Sequence, residues 1–178
     1  MKTDYTSKGN SLFNKKIVLF LISQNISLFG SSVVGYAIIW HITLETSSGF
    51  WLMLFTICSS LPQVMISLWS GVWADRYNRK YLIMLSDAFI ALTTLGLAVS
   101  FWMGFQRIEL LLIASVVRSI GAGVQTPAVN AIYPQLVPQE GLTKIQGLNQ
   151  TLNSVLMLLS PAVGGVLLGS MDIAWAFM

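Results

Sequence analysis

Two ionisable side chains lie deep inside apolar segments of the sequence, where they could do chemistry that a surface charge could not. Arg118 lies eight residues into one apolar segment, and Asp87 lies about seven residues into the segment before it. A charge near the bilayer centre costs at least about 2.5–3.5 kcal/mol, so such a residue is expected to have a function. An acid in low-dielectric surroundings favours its protonated form, so Asp87 could carry a proton. Each also has a structural interpretation: Arg118 could be paired to lock two helices, and Asp87 could belong to a salt bridge that supports packing.

The depth of these two side chains bears on whether they could pair with each other. At about 1.5 Å of rise per residue, Asp87 would lie about 10 Å deep and Arg118 near the middle of the membrane. The two could therefore meet if their helices face each other, which the sequence leaves open.

A polar stripe runs along the first apolar segment. Gln24, Ser27, Ser31 and Gly35 recur at helical spacing and would share one face of a helix. Small residues on such a face often serve close helix packing in membranes. The alternative is a wall that faces a water-filled cavity. We weigh the two equally for the serines and predict a cavity position for Gln24.

The short connection after the second apolar segment concentrates charge. Asp75, Arg76, Arg79 and Lys80 all fall within a few residues of one another. These charges could serve only to orient the chain. The spacing suggests a more specific role, because Gly71 would allow close packing against a neighbour. Asn78 is expected to adopt the left-handed conformation of a tight reversal.

The composition shows which kind of fold must position these residues. Of the 178 residues, 54% are hydrophobic and only 10% are charged, and the mean hydropathy is +0.70. Soluble domains carry about 25% charged residues, so this chain cannot build a water-facing surface. No basic run with interleaved aromatic residues is present, so nucleic acid is not an expected partner. The lipid bilayer is the expected surroundings.

Five segments reach the roughly 20 apolar residues that a spanning helix needs: Ile17–Ile42, Phe50–Trp73, Tyr81–Trp102, Leu110–Tyr133 and Ile145–Gly169. A sixth begins at Ile173 and is cut off at Met178. Backbone polar groups must be satisfied internally in lipid, so these segments are predicted to be helices. The prediction is an all-α membrane protein with a polar tail over residues 1–16. A bundle of five complete spans and the start of a sixth follows over residues 17–178.

The distribution of Lys and Arg predicts the orientation. Eight of them lie before the first span, after the second or after the fourth: Lys2, Lys8, Lys15, Lys16, Arg76, Arg79, Lys80 and Lys144. The opposite connections contain only Arg107. Since basic residues accumulate on the cytoplasmic side, the N-terminus is predicted to be cytoplasmic.

The charged connection resembles a loop of the major facilitator superfamily. The family pattern there is Gly-x-x-x-Asp-Arg/Lys-x-Gly-Arg-Arg/Lys, and five residues match it: Gly71, Asp75, Arg76, Arg79 and Lys80. Asn78 stands where glycine is usual, a change that keeps the turn chemistry. In the family this loop forms a charge network that holds the two halves in the outward-facing state. The resemblance implies that role for Asp75 and the three basic residues.

The fourth span is similar to a pattern of proton-coupled members of this family, an arginine followed by two glycines, an alanine and a proline. Arg118, Gly121, Gly123 and Pro127 match, and Gln125 replaces the alanine. The resemblance associates Arg118 with proton coupling. Asp87 and Arg118 are therefore the coupling candidates, and Gln24, Ser27, Ser31 and Arg118 are the cavity candidates.

The fifth span partly resembles the family's antiporter pattern, Gly-x-x-x-Gly-Pro-x-x-Gly-Gly. Pro161, Gly164 and Gly165 match it, whereas Leu156 and Ser160 replace its first two glycines. Proline would bend this helix and the small residues would permit close approach. Small-residue packing alone is the structural alternative. Because the pattern is incomplete, it favours antiport over symport without deciding between them.

The resemblance extends over essentially the whole chain after the polar tail and is nearest to the macrolide-efflux and siderophore-exporter branch. It implies the N-terminal half of a transporter in the bacterial plasma membrane, completed by a C-terminal half. It also implies a small amphiphilic substrate, such as a drug or macrolide, exported at the expense of a proton gradient. A proton symporter that imports a nutrient and a non-transporting membrane scaffold are the alternatives. No nucleophile–base pair or metal-ligand spacing is present, so we expect no enzyme, metal or cofactor.

Overall fold

The structure, a computed structural model, describes residues 15–137 and 139–170. It contains five helices in chain order: α1 (Lys15–Thr46), α2 (Gly49–Arg76), α3 (Arg79–Trp102), α4 (Ile108–Leu136) and α5 (Gln139–Ser170). Each is long and apolar enough to cross a membrane. The described residues form no strand. The predicted all-α membrane fold with five spans is therefore confirmed, whereas the predicted sixth span and residues 1–14 of the tail lie outside the described residues.

Every helix runs beyond the apolar stretch that predicted it, because polar flanking residues continue the helical hydrogen bonding. The connections are correspondingly short. Between α2 and α3 only Tyr77 and Asn78 remain, and Asn78 has φ −66° and ψ 112°. Its side chain caps α3 by accepting a hydrogen bond from the Lys80 amide at 3.1 Å. The expected left-handed conformation of Asn78 is therefore wrong: an N-cap residue is extended. Ser47, between α1 and α2, takes a positive φ of 48°.

Both α1 and α4 contact each of the other four helices. The most extensive contacts are those of α4 with α2 and α3, and α1 packs mainly against α5. Gly123 permits the approach of α2, because an added Cβ there would lie 2.8 Å from the carbonyl oxygen of Gln63. Large apolar side chains of α2 and α5 remain exposed, among them Leu68 at 74% and Leu158 at 78%. Such a surface is suited to lipid.

Two apolar clusters close the two ends of the bundle. One contains Ile38, Ile42, Phe55, Phe101 and Leu111 at its centre, and the other contains Ile17, Leu21, Ile83, Tyr133 and Ile145. Buried polar residues lie between them in sequence on α1, α3 and α4: Gln24, Asn25, Ser86, Thr94, Ser115, Arg118, Ser119 and Gln125. We call these eight residues the polar layer.

Serine hydroxyls join α2 and α4 at the points where prolines interrupt their backbones. Pro127 has no N–H, so the carbonyl of Gly123 lacks its usual helical donor, and Ser70 Oγ donates to that carbonyl at 2.7 Å. In the other direction, Ser119 Oγ donates to the Ser59 carbonyl at 2.7 Å and accepts from the Gln63 amide at 2.9 Å. Those two α2 groups flank Pro62. Each helix thus satisfies backbone groups near the other's proline.

Candidate functional site

Arg118 lies in the polar layer, where three oxygens hold its guanidinium. It is 9% exposed, and Nη2 donates to both the carbonyl and the hydroxyl of Ser31 at 2.9 Å. Nη1 donates to the hydroxyl of Thr94. The partners are neutral groups on α1 and α3, and no described carboxylate forms an ion pair with this side chain. The buried charge is thus hydrogen-bonded rather than neutralised.

Asp87 has its own set of partners. Its Oδ1 accepts hydrogen bonds from Ser27 Oγ at 2.8 Å and from Gln125 Nε2 at 2.7 Å. The possible ion pair with Arg118 does not form. Thr94, the α3 residue that reaches Arg118, lies two helical turns from Asp87, about 10 Å along the axis at 1.5 Å per residue. The way α3 packs along α4 therefore places Asp87 and Arg118 at different levels in the bundle.

One cleft nevertheless contains both ionisable groups. It has a volume of about 850 Å³ and is bounded by α1, α3, α4 and α5. The residues that could form hydrogen bonds or carry charge in its wall are Ser27, Ser31, Asp87, Thr94, Arg118 and Gln125. We call it the charged cleft. Most of the remaining wall is aliphatic.

A second cleft lies between α1, α4 and α5, with a volume of about 320 Å³. Its wall contains five carboxamide side chains, Gln24, Gln125, Asn130, Asn149 and Asn153, and no charged residue. We call it the amide cleft. Gln24 is 5% exposed, and its Oε1 has no hydrogen-bond partner among the described residues. The neighbouring Asn25 also has an unpartnered Oδ1, although its Nδ2 reaches Asn149 Oδ1 at 3.4 Å. Two buried acceptor oxygens in or beside this cleft therefore lack a described hydrogen-bond partner.

The polar stripe predicted on α1 is divided between the two clefts. Gln24 lines the amide cleft, whereas Ser27 and Ser31 line the charged cleft. The division follows from the contact of α4 with α1, which separates the two faces. All four predicted cavity residues do line a cleft, and Gly35 lines neither of the two.

The charged loop after α2 is joined to three helices through Arg79. Its Nε donates to the Ala74 carbonyl at 2.9 Å on α2, and its Nη1 donates to the Ala131 carbonyl on α4. Nη2 lies 3.4 Å from Asp75 Oδ1, with which it forms an ion pair. Asp75, Arg76 and Lys80 are exposed. Arg79 therefore fixes the loop to α4 through backbone oxygens.

Among the described residues, the expected close packing at Gly71 is not found. An added Cβ on Gly71 would meet no described atom within 4 Å. The close approach of α2 to a neighbour occurs instead at Gln63, opposite Gly123. The reason is the direction of packing, since the side of α2 that carries Ser70 faces α4.

The glycines of the antiporter-like pattern pack α5 against α1. A Cβ on Gly164 would lie 3.2 Å from Tyr36 Cβ and 3.3 Å from the Val33 carbonyl oxygen. Pro161 lies inside α5. At Gly165 a Cβ would make ordinary contact with the Trp40 ring. Close helix approach, the structural interpretation of this pattern, thus applies at Gly164.

Gln125 is a cleft residue that was not predicted from the sequence. It is 6% exposed, bonds Asp87 and lines both clefts. A signal was available, because a glutamine replaced the family's alanine inside an apolar span. Thr94 was also missed, and a threonine in a membrane helix commonly bonds its own backbone, as Thr94 does to Ile90 at 2.9 Å.

The fold and site define a class of protein: a multi-pass helical membrane protein with clefts and a buried charged group between its helices, as in membrane transporters. The family described as "Transmembrane secretion effector" matches residues 10–178. The chain belongs to this family, a branch of the major facilitator superfamily.

Several curated relatives are similar to the chain. Macrolide efflux protein A of Streptococcus pyogenes is 36% identical over 157 residues, which are 86% of this chain and 38% of that protein. Macrolide efflux protein A of Enterococcus faecalis is 39% identical over 108 residues, 60% of this chain and 33% of that protein. The staphyloferrin A transporter of Staphylococcus aureus is 24% identical over 152 residues, 84% of this chain and 38% of that protein. The chain therefore spans less than two-fifths of the length of these relatives. No solved structure matches the chain.

Proposed function

We propose that this chain forms the N-terminal half of a proton-driven exporter of amphiphilic, macrolide-like compounds in the bacterial plasma membrane. The observation that carries the proposal is the charged cleft, whose wall contains both the buried Arg118 and the half-buried Asp87 between membrane-spanning helices. A bundle that needed only to be stable in lipid would gain little from two ionisable groups within its spans. The names of two relatives support efflux, since both are macrolide efflux proteins.

Asp87 is the proposed proton site. Two donors, Ser27 and Gln125, hold one oxygen of its carboxylate. The carboxyl group also lies in the wall of the charged cleft, which is the position that a proton carrier needs.

Arg118 is the proposed sensor of that proton. It shares the charged cleft with Asp87 but is held by neutral oxygens. Protonation of Asp87 would remove the nearby negative charge and change the electrostatic energy of Arg118 in a medium of low dielectric constant. Since Arg118 bonds α1 and α3 from α4, that change would act on the packing of three helices.

The charged loop is the proposed latch between conformations, on the cytoplasmic side of the membrane. Arg79 holds the loop on α2 and α4, while Asp75, Arg76 and Lys80 remain exposed. Exposed charges beside an anchored arginine are free to bond the proposed C-terminal half in one state and release it in another.

Transport by the full-length protein that carries this segment tests the proposal. Inverted membrane vesicles are energised with a proton gradient, and erythromycin is added while a pH-sensitive dye is followed. Antiport predicts that the substrate dissipates the gradient, and that Asp87→Asn abolishes this response while the protein still inserts. Glu109→Gln, in the first turn of α4, is the control and should respond as the wild type.

The two alternatives give different results. A proton symporter would accumulate its substrate with proton influx and would show no erythromycin-dependent response in inverted vesicles. A membrane scaffold would leave both the gradient and drug susceptibility unchanged after Asp75→Asn and Arg118→Ala. Either result would refute the exporter.

A further inference from the structure

Gln125 is the residue through which the two clefts are connected. It belongs to the walls of both the amide cleft and the charged cleft. Its Nε2 donates to Asp87 Oδ1 at 2.7 Å. A carboxamide has a donor end and an acceptor end, and here the donor end is occupied. No described residue donates to Oε1, which is therefore available to a ligand.

We propose that Gln125 couples substrate binding in the amide cleft to the proton on Asp87. This inference rests on the proposed function, in which Asp87 is the proton site. A substrate hydroxyl or N–H group donates to Gln125 Oε1, and the Gln125 amide passes the effect to Asp87 through its own hydrogen bond. Gln125 does not bind the proton and is a positioning residue for Asp87.

The polarity of the hydrogen-bond chain determines the direction of coupling. A donor bound at Oε1 polarises the amide and strengthens the N–H···O bond that follows, because successive hydrogen bonds are cooperative. A stronger bond to the carboxylate favours the deprotonated acid. Substrate binding thus expels the proton from Asp87, and proton binding weakens substrate binding by the same factor. Exchange of one for the other is what antiport requires.

The surroundings of Asp87 limit which other groups could produce this effect. Arg118, from α4, is the other charged residue in the charged cleft. The wall residues from α1 and α5 next to that cleft are uncharged, including Ser27, Val163 and Leu167. Arg118 bonds Ser31 and Thr94 rather than Asp87. Gln125 is therefore the described residue that contacts Asp87 and also borders the amide cleft.

The amide cleft also indicates the chemical class of the substrate. Gln24 Oε1 is a further unpartnered acceptor in its wall, and no charged residue lines it. Buried acceptors favour a ligand that brings hydroxyl, amide N–H or single ammonium donors. A polyanionic ligand would place its charges against oxygens without a cation to balance them. The expected ligand is a hydroxyl-bearing amphiphile.

Binding and proton release by the detergent-purified full-length protein test this coupling. The probe is radiolabelled erythromycin, used at and below neutral pH so that its own amine stays protonated. Wild type should bind it about fivefold or more weakly at about pH 5.5 than at about pH 7, and binding should release protons into a weakly buffered solution. Gln125→Met preserves volume but cannot bond Asp87, so it should bind the probe with little pH dependence and little proton release. If Gln125→Met does not fold, Gln125→Asn is used instead. It keeps both ends of the amide but is one methylene too short to reach from a ligand in the amide cleft to Asp87, so the same result is expected.

Two controls separate this inference from the proposed function. Gln146→Met, at an exposed position of α5, should behave as the wild type. Asp87→Asn should bind the probe independently of pH. If Asp87→Asn keeps the pH dependence, Asp87 is not the proton site and the proposed function loses its coupling residue. If Asp87→Asn loses the dependence while a folded Gln125 variant retains it together with proton release, the role of Gln125 alone is refuted.

Discussion

The charged loop and the polar layer both contain ionisable residues, but they are built in opposite ways. The loop lies within ten consecutive residues, Gly71 to Lys80, and three of its four charges are exposed. The polar layer draws its members from three helices and buries them. An exposed charge needs no partner in the fold, so its role can be encoded in local spacing. A buried one needs partners, and those come from helices that are distant in sequence.

The two regions also differ in how much their polar contacts contribute to stability. Asp75 and Arg79 lie 3.4 Å apart with side-chain exposures of 77% and 22%, and exposed pairs of this kind contribute about 0–1 kcal/mol. Hydrogen bonds to a buried charge contribute about 1.5–3 kcal/mol each, but most of that gain offsets the cost of burying the charge. The charged loop is therefore expected to affect the equilibrium between conformations with little effect on stability. In the polar layer, removing one partner of a contact is costly, whereas replacing the charged group by an apolar one of similar volume is not.

Replacing Arg118 should have the largest effect on transport. Arg118→Met removes the charge at similar volume, and Ser31 and Thr94 are left neutral, with Thr94 still bonded to Ile90. Burying a methionine there costs little, so thermal stability of the purified protein should be kept or raised. Drug efflux should fall about tenfold or more, the scale of a coupling energy of about 1–3 kcal/mol.

Arg118→Lys sharpens that test. A single ammonium cannot reach Ser31 and Thr94 with two separate nitrogens as the guanidinium does. Efflux by this variant should stay low. Full activity would show that charge alone is sufficient and that the contacts to α1 and α3 are dispensable.

Replacing two glycines by alanine, one in α4 and one at the charged loop, should change the stability of the protein in opposite directions. In the polar layer's helix, Gly123→Ala would place a Cβ 2.8 Å from the Gln63 carbonyl oxygen and 3.1 Å from Ile66 Cβ. Overpacking of this kind costs about 1–3 kcal/mol. At the loop, Gly71→Ala meets no described atom within 4 Å and should stabilise the helix by about 0.5–1 kcal/mol. Thermal unfolding of the two variants measures both.

Equal destabilisation by the two alanines would contradict this packing and would place a neighbour on Gly71. That neighbour could come from the proposed C-terminal half, so a Gly71 effect in the full-length protein would locate part of the contact between the halves.

The sequence was sufficient to predict the five spans and the charged loop, because length, hydropathy and local spacing determine them. It was not sufficient to predict that Gln24 lines one cleft while Ser27 and Ser31 line the other, since that depends on where α4 contacts α1. Nor could it decide the pairing of Asp87 with Arg118. The register of α3 on α4 sets that result by placing Thr94 at the level of Arg118. Gln125 could have been singled out as a departure from the family pattern, but its position between two clefts depends on three helices.

Replacing Asp75 should have the smallest effect on stability. It therefore tests most directly whether the charged loop, unlike the polar layer, acts on transport without supporting the fold. Asp75→Asn removes one weak ion pair at a largely exposed position, so the free energy of unfolding should change by less than about 1 kcal/mol. Efflux should nevertheless decrease, because the proposed latch depends on the carboxylate charge, and Asp75→Glu should restore part of it. Melting curves and drug efflux are measured on the same preparations. A loss of stability as large as that of Gly123→Ala would mean that the loop, like the polar layer, holds the bundle together.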